Sequence, residues 1–153
     1  MAALHPTAQK LADRLRDAGL DVEVRELPQS TRTAPEAAAA VGAEVGQIVK
    51  SLVFVADGEP LMCLCAGDRR VDTARLGGEV RAAKADEVRA ATGFAIGGVP
   101  PLGHDRDLPT IVDESLRRFQ TLWCAAGTPN AVFPIATEAL IRALRDADVR
   151  PVD

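Results

Sequence analysis

Two apolar runs set almost end to end constrain this chain more than any other feature. Residues 48–56 and 61–66 are rich in Val, Leu and Cys, and only Asp57, Gly58, Glu59 and Pro60 separate them. Runs of this kind favour extended chain, and an Asp-Gly pair tolerates the dihedrals of a tight reversal, so the segment predicts a β-hairpin.

The flanking sequence supplies the rest of a layered domain. Leu11 and Leu15, four apart between charged residues and followed by Gly19, predict an amphipathic helix over 7–20, and the alternation of Val22 and Val24 predicts a strand over 21–27. Thr33, Pro35 and the alanine run to Val41 give a cap, a first-turn proline and strong helix formers. A short helix over 71–76, a strand over 80–83 and a helix over 86–92, capped by Ala85 or Asp86 and stopped by Gly93, follow. Strands are expected at 109–112, 121–126 and 131–135, and Thr137 is expected to cap a last helix striped by Leu140, Ile141 and Leu144. Strands outnumber long helices and the hairpins imply antiparallel neighbours. The expected class is therefore α/β (α+β), a mixed, curved sheet surrounded by helices. With 153 residues, 47% of them apolar, and no repeat or linker, residues 1–153 are expected to form one domain.

Composition removes several function classes. Four Phe, one Trp and no Tyr cannot build an RNA-stacking sheet. A net charge of −4 argues against a protein that coats nucleic acid, so no DNA partner is expected, but it leaves room for contact with one end of an RNA. Residues 69–84 carry Arg69, Arg70, Arg75, Arg81 and Lys84 against Asp72 and Glu79, which is either a phosphate-facing patch or a solvated face. Cys63, Cys65 and Cys124 form no disulfide framework, and no charged segment followed by a long apolar run opens the chain, so a reduced, cytoplasmic protein without a membrane partner is expected. Cys63 and Cys65 alternate within an apolar run and read as buried small hydrophobes, with no metal implied.

Three features bear on chemistry. In extended chain alternate side chains share a face, so Lys50 lies with Ile48, Leu52, Phe54 and Ala56. An ammonium buried without a partner is costly, so Lys50 either stands at a pocket wall beside an anion or polar substrate, or snorkels from the end of a strand apolar on both faces. The second feature is Gly97-Gly98-Val99-Pro100-Pro101-Leu102-Gly103. Its glycines permit unusual dihedrals and its prolines remove flexibility, so it either presents main-chain amides to a ligand or is a plain tight turn. It lacks the spacing of a nucleotide P-loop or dinucleotide fingerprint. The third is the turn Gly127-Thr128-Pro129-Asn130, which could present Thr128 or Asn130. A Ser-His-Asp or Cys-His pair would have to use His104, since the other histidine is His5, and no Ser or Cys stands in a nucleophile elbow. Asp113 and Glu114 serve either as a helix cap or as a carboxylate pair.

Lys50 within Val-Lys-Ser-Leu, the run from Thr92 to Gly103, and Ala125-Ala126-Gly127-Thr128-Pro129-Asn130 together resemble the YbaK/prolyl-tRNA-synthetase-associated family in order and spacing, over roughly residues 30–145. The resemblance implies a partly barrel-like sheet wrapped by helices. It also implies an aminoacyl-tRNA deacylase that acts in trans on mischarged tRNA, with tRNA(Pro) the expected acceptor and a synthetase as an associated partner. Lys50 matches the family's essential lysine; Gly97 and Pro101 match the ends of its Gly-x-x-x-Pro loop. Gly98, Val99, Pro100, Gly103, Ser51, Gly127, Thr128 and Asn130 complete the implied substrate-binding set, with no cofactor and no metal. Branches that clear alanine carry Asn after the lysine and His in the later loop, where this chain has Ser51 and Thr128. Cysteine, serine, threonine, alanine or a small non-protein amino acid therefore stay open as the group removed. The alternatives are a non-catalytic module binding a tRNA end or small metabolite, and a small-molecule esterase or amidase.

Overall fold

The computed structural model describes residues 3–153. The hairpin forms as β2 (Val49–Ala56) and β3 (Glu59–Ala66), antiparallel in unbroken register from Val49 opposite Ala66 to Ala56 opposite Glu59. Its turn is only Asp57 and Gly58, with φ of 50° and 83°, the left-handed pair that matches the twist of the flanking strands. Glu59 and Pro60, expected in the turn, are the first residues of β3. Pro60 is tolerated there because its missing N–H faces away from β2, on an edge that the next strand covers only at Met62–Leu64.

Around the hairpin a five-stranded sheet runs β4 (Val80–Ala82), β2, β3, β5 (Thr110–Asp113), β8 (Asp148–Arg150). The β3–β5 and β5–β8 pairs are parallel, so the sheet is mixed. A second sheet of three strands orders β1 (Arg25–Glu26), β7 (Ala131–Ala136) and β6 (Thr121–Ala125). The two sheets touch through one parallel bridge between Ile48 and Trp123. The expected α+β class holds, but the strands divide into two sheets and no closed barrel forms among the described residues.

Four α-helices cover the sheets: α1 (Pro6–Asp17), α2 (Ala34–Val41), α3 (Ala85–Thr92) and α4 (Thr137–Ala143). Leu11, Leu15, Phe133, Leu122 and Leu140 are each at most 1% exposed, in one continuous core. α2 begins as expected: Thr33 Oγ1 accepts from Glu36 N–H, and the Glu36 carboxylate accepts from Thr33.

Several expectations are corrected. The strand over 21–27 shrinks to Arg25–Glu26, because β7 offers partners only at Val132 and Ala131; Val22 and Val24 pack on the core as irregular chain. The helix over 71–76 is a single 3-10 turn, Thr73–Arg75. α3 is capped not by Ala85 or Asp86 but at Lys84, whose N–H donates to Glu87. Thr137 is the first residue of α4 rather than its cap, since its hydroxyl donates sideways to the Phe119 carbonyl at 2.5 Å. β8 was not expected at all.

Candidate active site

The cavity of interest opens where the edge of β2 loses its neighbour. β4 pairs with β2 only at Phe54–Ala56, and Ile48 reaches β6, so the edge between them has no strand opposite. The Ile48 carbonyl accepts from Gly67 on the β3 side, whereas the Val53 carbonyl accepts from Ala83 on the β4 side. Peptide groups alternate along a strand, so the N–H and C=O of Ser51 point into the gap. A cavity of about 510 Å³ fills it, bounded by β2, the start of α2, Trp123 and Ala125 of β6, and the loop carrying Ile96, Gly97 and Val99. Among the described residues, Ser51 Oγ is the buried side-chain polar atom with no hydrogen-bond partner.

Lys50 is half-buried and lines this cavity, and its ammonium donates to the Arg69 carbonyl in the loop after β3. Arg32 and Lys50 are the charged residues of the lining, and no carboxylate accompanies them. In a chain of net charge −4, the cavity is locally cationic.

The glycine-proline loop divides between lining and support. Gly97, with φ of 97°, and Val99 line the cavity. Gly98 lies behind them against the β6–β7 turn: a Cβ there would stand 2.7 Å from the Gly127 carbonyl carbon and oxygen, and Gly127 N–H donates to the Gly98 carbonyl at 2.8 Å. Pro100 and Pro101 are buried, the Pro100 carbonyl lies 2.7 Å from His104 Nε2, and the Gly103 carbonyl accepts from Arg14. Burial holds the His104 imidazole below its ordinary pKa, against the opposing hydrogen bond to Pro100.

Gly127, Thr128 and Asn130 do not line this cavity. They face a separate hollow beside Thr7, Lys10 and Phe94. Their turn is tied to the segment that leads into α2: Asn130 Nδ2 donates to the Gln29 carbonyl at 3.1 Å, and the Pro129 carbonyl accepts from the N–H and hydroxyl of Thr31 at 2.6 and 2.8 Å. The structure thus brings together Lys50, Ser51, Gly97 and Val99, and sets the other candidates behind or beside them. Sequence reasoning missed Thr31, Arg32, Ile96 and Trp123 of the lining. Ile96 is a large apolar side chain left 55% exposed beside Gly97.

The basic run over 69–84 is mostly a face of ion pairs: Arg69 with Asp153, Arg75 with Asp72, Arg81 with Glu87. The three cysteines are free and buried as expected; burial pushes the Cys63 thiol up to about 12 and the Cys65 thiol to about 11. Asp113 is fully buried and caps the 3-10 turn that follows it, which settles the choice between cap and carboxylate pair in favour of a cap. No described helix is long and apolar enough to cross a membrane.

Comparison with known proteins shows the family. A solved structure of a protein proposed to be a trans-editing enzyme for prolyl tRNA synthetase superposes with a TM-score of 0.92 at 47% identity, covering 99% of each chain. A Bacillus subtilis protein, YwhH, is 33% identical over 77% of this chain and 78% of its own length. EbsC of Enterococcus faecalis, proposed to be a Cys-tRNA(Pro)/Cys-tRNA(Cys) deacylase, is 26% identical over 71% of this chain and 70% of its own. The proline–tRNA ligase of Lactobacillus gasseri matches at 30% identity over 70% of this chain, which spans only 21% of that enzyme. The sequence profile of the aminoacyl-tRNA editing domain matches residues 28–143, and with most of its length inside that match the chain belongs to the aminoacyl-tRNA editing domain family.

Proposed function

We propose that the chain acts in trans as one editing domain over 1–153, hydrolysing the ester of a mischarged tRNA, with tRNA(Pro) as acceptor, in the cytoplasm. An editing domain of this family is a hydrolase of the aminoacyl ester. The observation that carries the assignment to this cavity is that Lys50, Ser51 and Gly97 line one cationic space with no carboxylate in it.

An aminoacyl ester is already activated, so catalysis needs a placed water and stabilisation of charge rather than a protein nucleophile. In this reading Lys50 holds the terminal adenosine at its phosphate or ribose. Main-chain groups of Ser51 and of the loop from Gly97 hold the aminoacyl carbonyl and amine, and the neighbouring ribose hydroxyl directs the water. Gly98, Pro100, Pro101 and Gly103 stiffen the loop, Gly127 buttresses it, and the turn that carries Thr128 and Asn130 braces the segment leading into α2. Association with a prolyl-tRNA synthetase is supported by the fused relatives.

The experiment is deacylation of a panel of mischarged tRNAs, several amino acids on tRNA(Pro) and on other acceptors. One member is expected to be cleared by the parent, and a folded Lys50→Ala variant to be slower by about a hundredfold or more. Undiminished turnover in that variant removes Lys50 from the mechanism. Saturable binding with no amino acid released, across the panel, marks a binding module instead.

A further inference from the structure

Arg32 is the lining cation without an assigned partner. It is exposed at the cavity mouth, and none of the ion pairs among the described residues includes it. Its stem lies along the glycine-proline loop: a Cβ on Gly97 would come within 3.0 Å of Arg32 Nε and 3.1 Å of Cγ. A side chain at residue 97 would push the guanidinium off the loop.

The backbone that carries Arg32 is fixed on both sides. Arg32 N–H donates to Ser30 Oγ at 3.2 Å, and Thr31 before it is bound twice by the Pro129 carbonyl. Thr33 after it closes the capping box of α2. Asn130 holds the Gln29 carbonyl one step further back. The turn over 127–130 faces away from the cavity, yet its hydrogen bonds converge on the segment from Gln29 to Thr31. A planar, permanently charged donor on a fixed backbone, with Lys50 as the other charge in the lining, is suited to an anion with paired oxygens.

The geometry points to Arg32 as a phosphate-binding residue of the cavity mouth, taking a phosphodiester of the unpaired 3′ end of an RNA, with the 127–130 turn as its brace. This rests on the reading that the cavity receives the acceptor end of tRNA, and names the side chain that holds its backbone there.

Trp123 is the chain's single tryptophan and lines the same cavity, so its fluorescence reports occupancy directly. The probes are the single-stranded RNA trinucleotide CCA, titrated over a range of salt, and adenosine, which carries no phosphate. Arg32→Gln is expected to weaken CCA about three- to tenfold and to flatten the log K against log salt line by about 0.7, the value of one phosphate on a single strand, while adenosine binding is unchanged. Arg32→Lys is expected to restore the slope and part of the affinity, since the charge returns without the planar fork.

An unchanged affinity and slope in Arg32→Gln overturns the inference. So does an equal loss for adenosine, which would mark a merely structural role, and so does a parent protein that shows no titration with CCA. The two readings fail separately. Parent-like deacylation by Lys50→Ala strikes the hydrolytic assignment and leaves the salt slope standing, whereas a parent-like Arg32→Gln strikes this inference alone.

Discussion

His104 shows how a residue outside the cavity can set its shape. Its Nε2 lies 2.7 Å from the Pro100 carbonyl, so the proton on that nitrogen is donated to the loop that presents Gly97 and Val99. Burial lowers its pKa from the ordinary 6.5. The unfolded chain therefore binds a proton before the folded one does, and stability falls as the pH drops from about 6.5 towards the lowered folded value. Thermal melts between pH 7.5 and 5 are expected to show a loss of midpoint in the parent that is smaller in His104→Gln; an identical loss in both would exclude His104 as its source. Residues of this scale were unequally legible. Lys50 announced itself because an ammonium interrupts an apolar run, and Ser51 followed as its neighbour. Arg32 did not, because an arginine between two threonines in a polar stretch resembles any solvated residue until the fold lays it on Gly97. Gly127, Thr128 and Asn130 were legible as a turn, but only the hydrogen bonds to Gln29 and Thr31 show which segment the turn serves.

At the scale of elements, α2 matters most, since its first turn is also the wall of the cavity. The eight-residue helix carries four consecutive alanines, and short helices depend on their ends and on packing more than on propensity. Thr33→Ala removes the hydroxyl that accepts from Glu36 N–H and is expected to cost about 1 kcal/mol, read as a melting midpoint lower by roughly 2–4 °C, with Thr33→Ser restoring most of it. A midpoint unmoved by the alanine would show that packing alone sets this end. The α2 cap was legible because Thr-x-x-Glu is a local signal that needs no tertiary partner. The cap of α3 was not, since Lys84 contributes only its backbone N–H while Glu87 does the accepting. Thr137 has a capping residue's chemistry but spends its hydroxyl on the Phe119 carbonyl of a neighbouring segment, a tertiary choice that no local pattern contains. The hairpin was legible for the opposite reason: its length, apolarity and Asp-Gly turn all point one way, and only the extent of β3 at Glu59 and Pro60 was misjudged.

The whole molecule couples its last strand to the candidate lysine through one buried carboxylate. Nothing local predicted β8, because three residues, two of them charged, make a strand only when β5 lies alongside to pair with them in parallel. Likewise the two sheets meet at the Ile48–Trp123 bridge, which joins residues far apart in sequence. Asp113, at the end of β5 and fully buried, accepts from Val152 N–H at 2.8 Å and from the hydroxyl and N–H of Ser115. Val152, also fully buried, accepts in turn from Asp72 N–H at 2.7 Å, and Asp153 pairs with Arg69 at 3.0 Å. Arg69 supplies the carbonyl that receives the Lys50 ammonium. Asp113→Ala leaves the Val152 donor buried without an acceptor, at an expected cost of about 2–4 kcal/mol. The melting midpoint should fall by roughly 5–15 °C. The loss is expected to be uneven: amide exchange at Asp72, Val152 and Arg69 should quicken well beyond the global change, while the core amides of α1 at Leu11 and Leu15 slow or quicken only with overall stability. Uniform acceleration across all of these amides would mean that the C-terminal segment and the loop that receives the Lys50 ammonium unfold only with the molecule as a whole, and that the carboxylate does not link them locally.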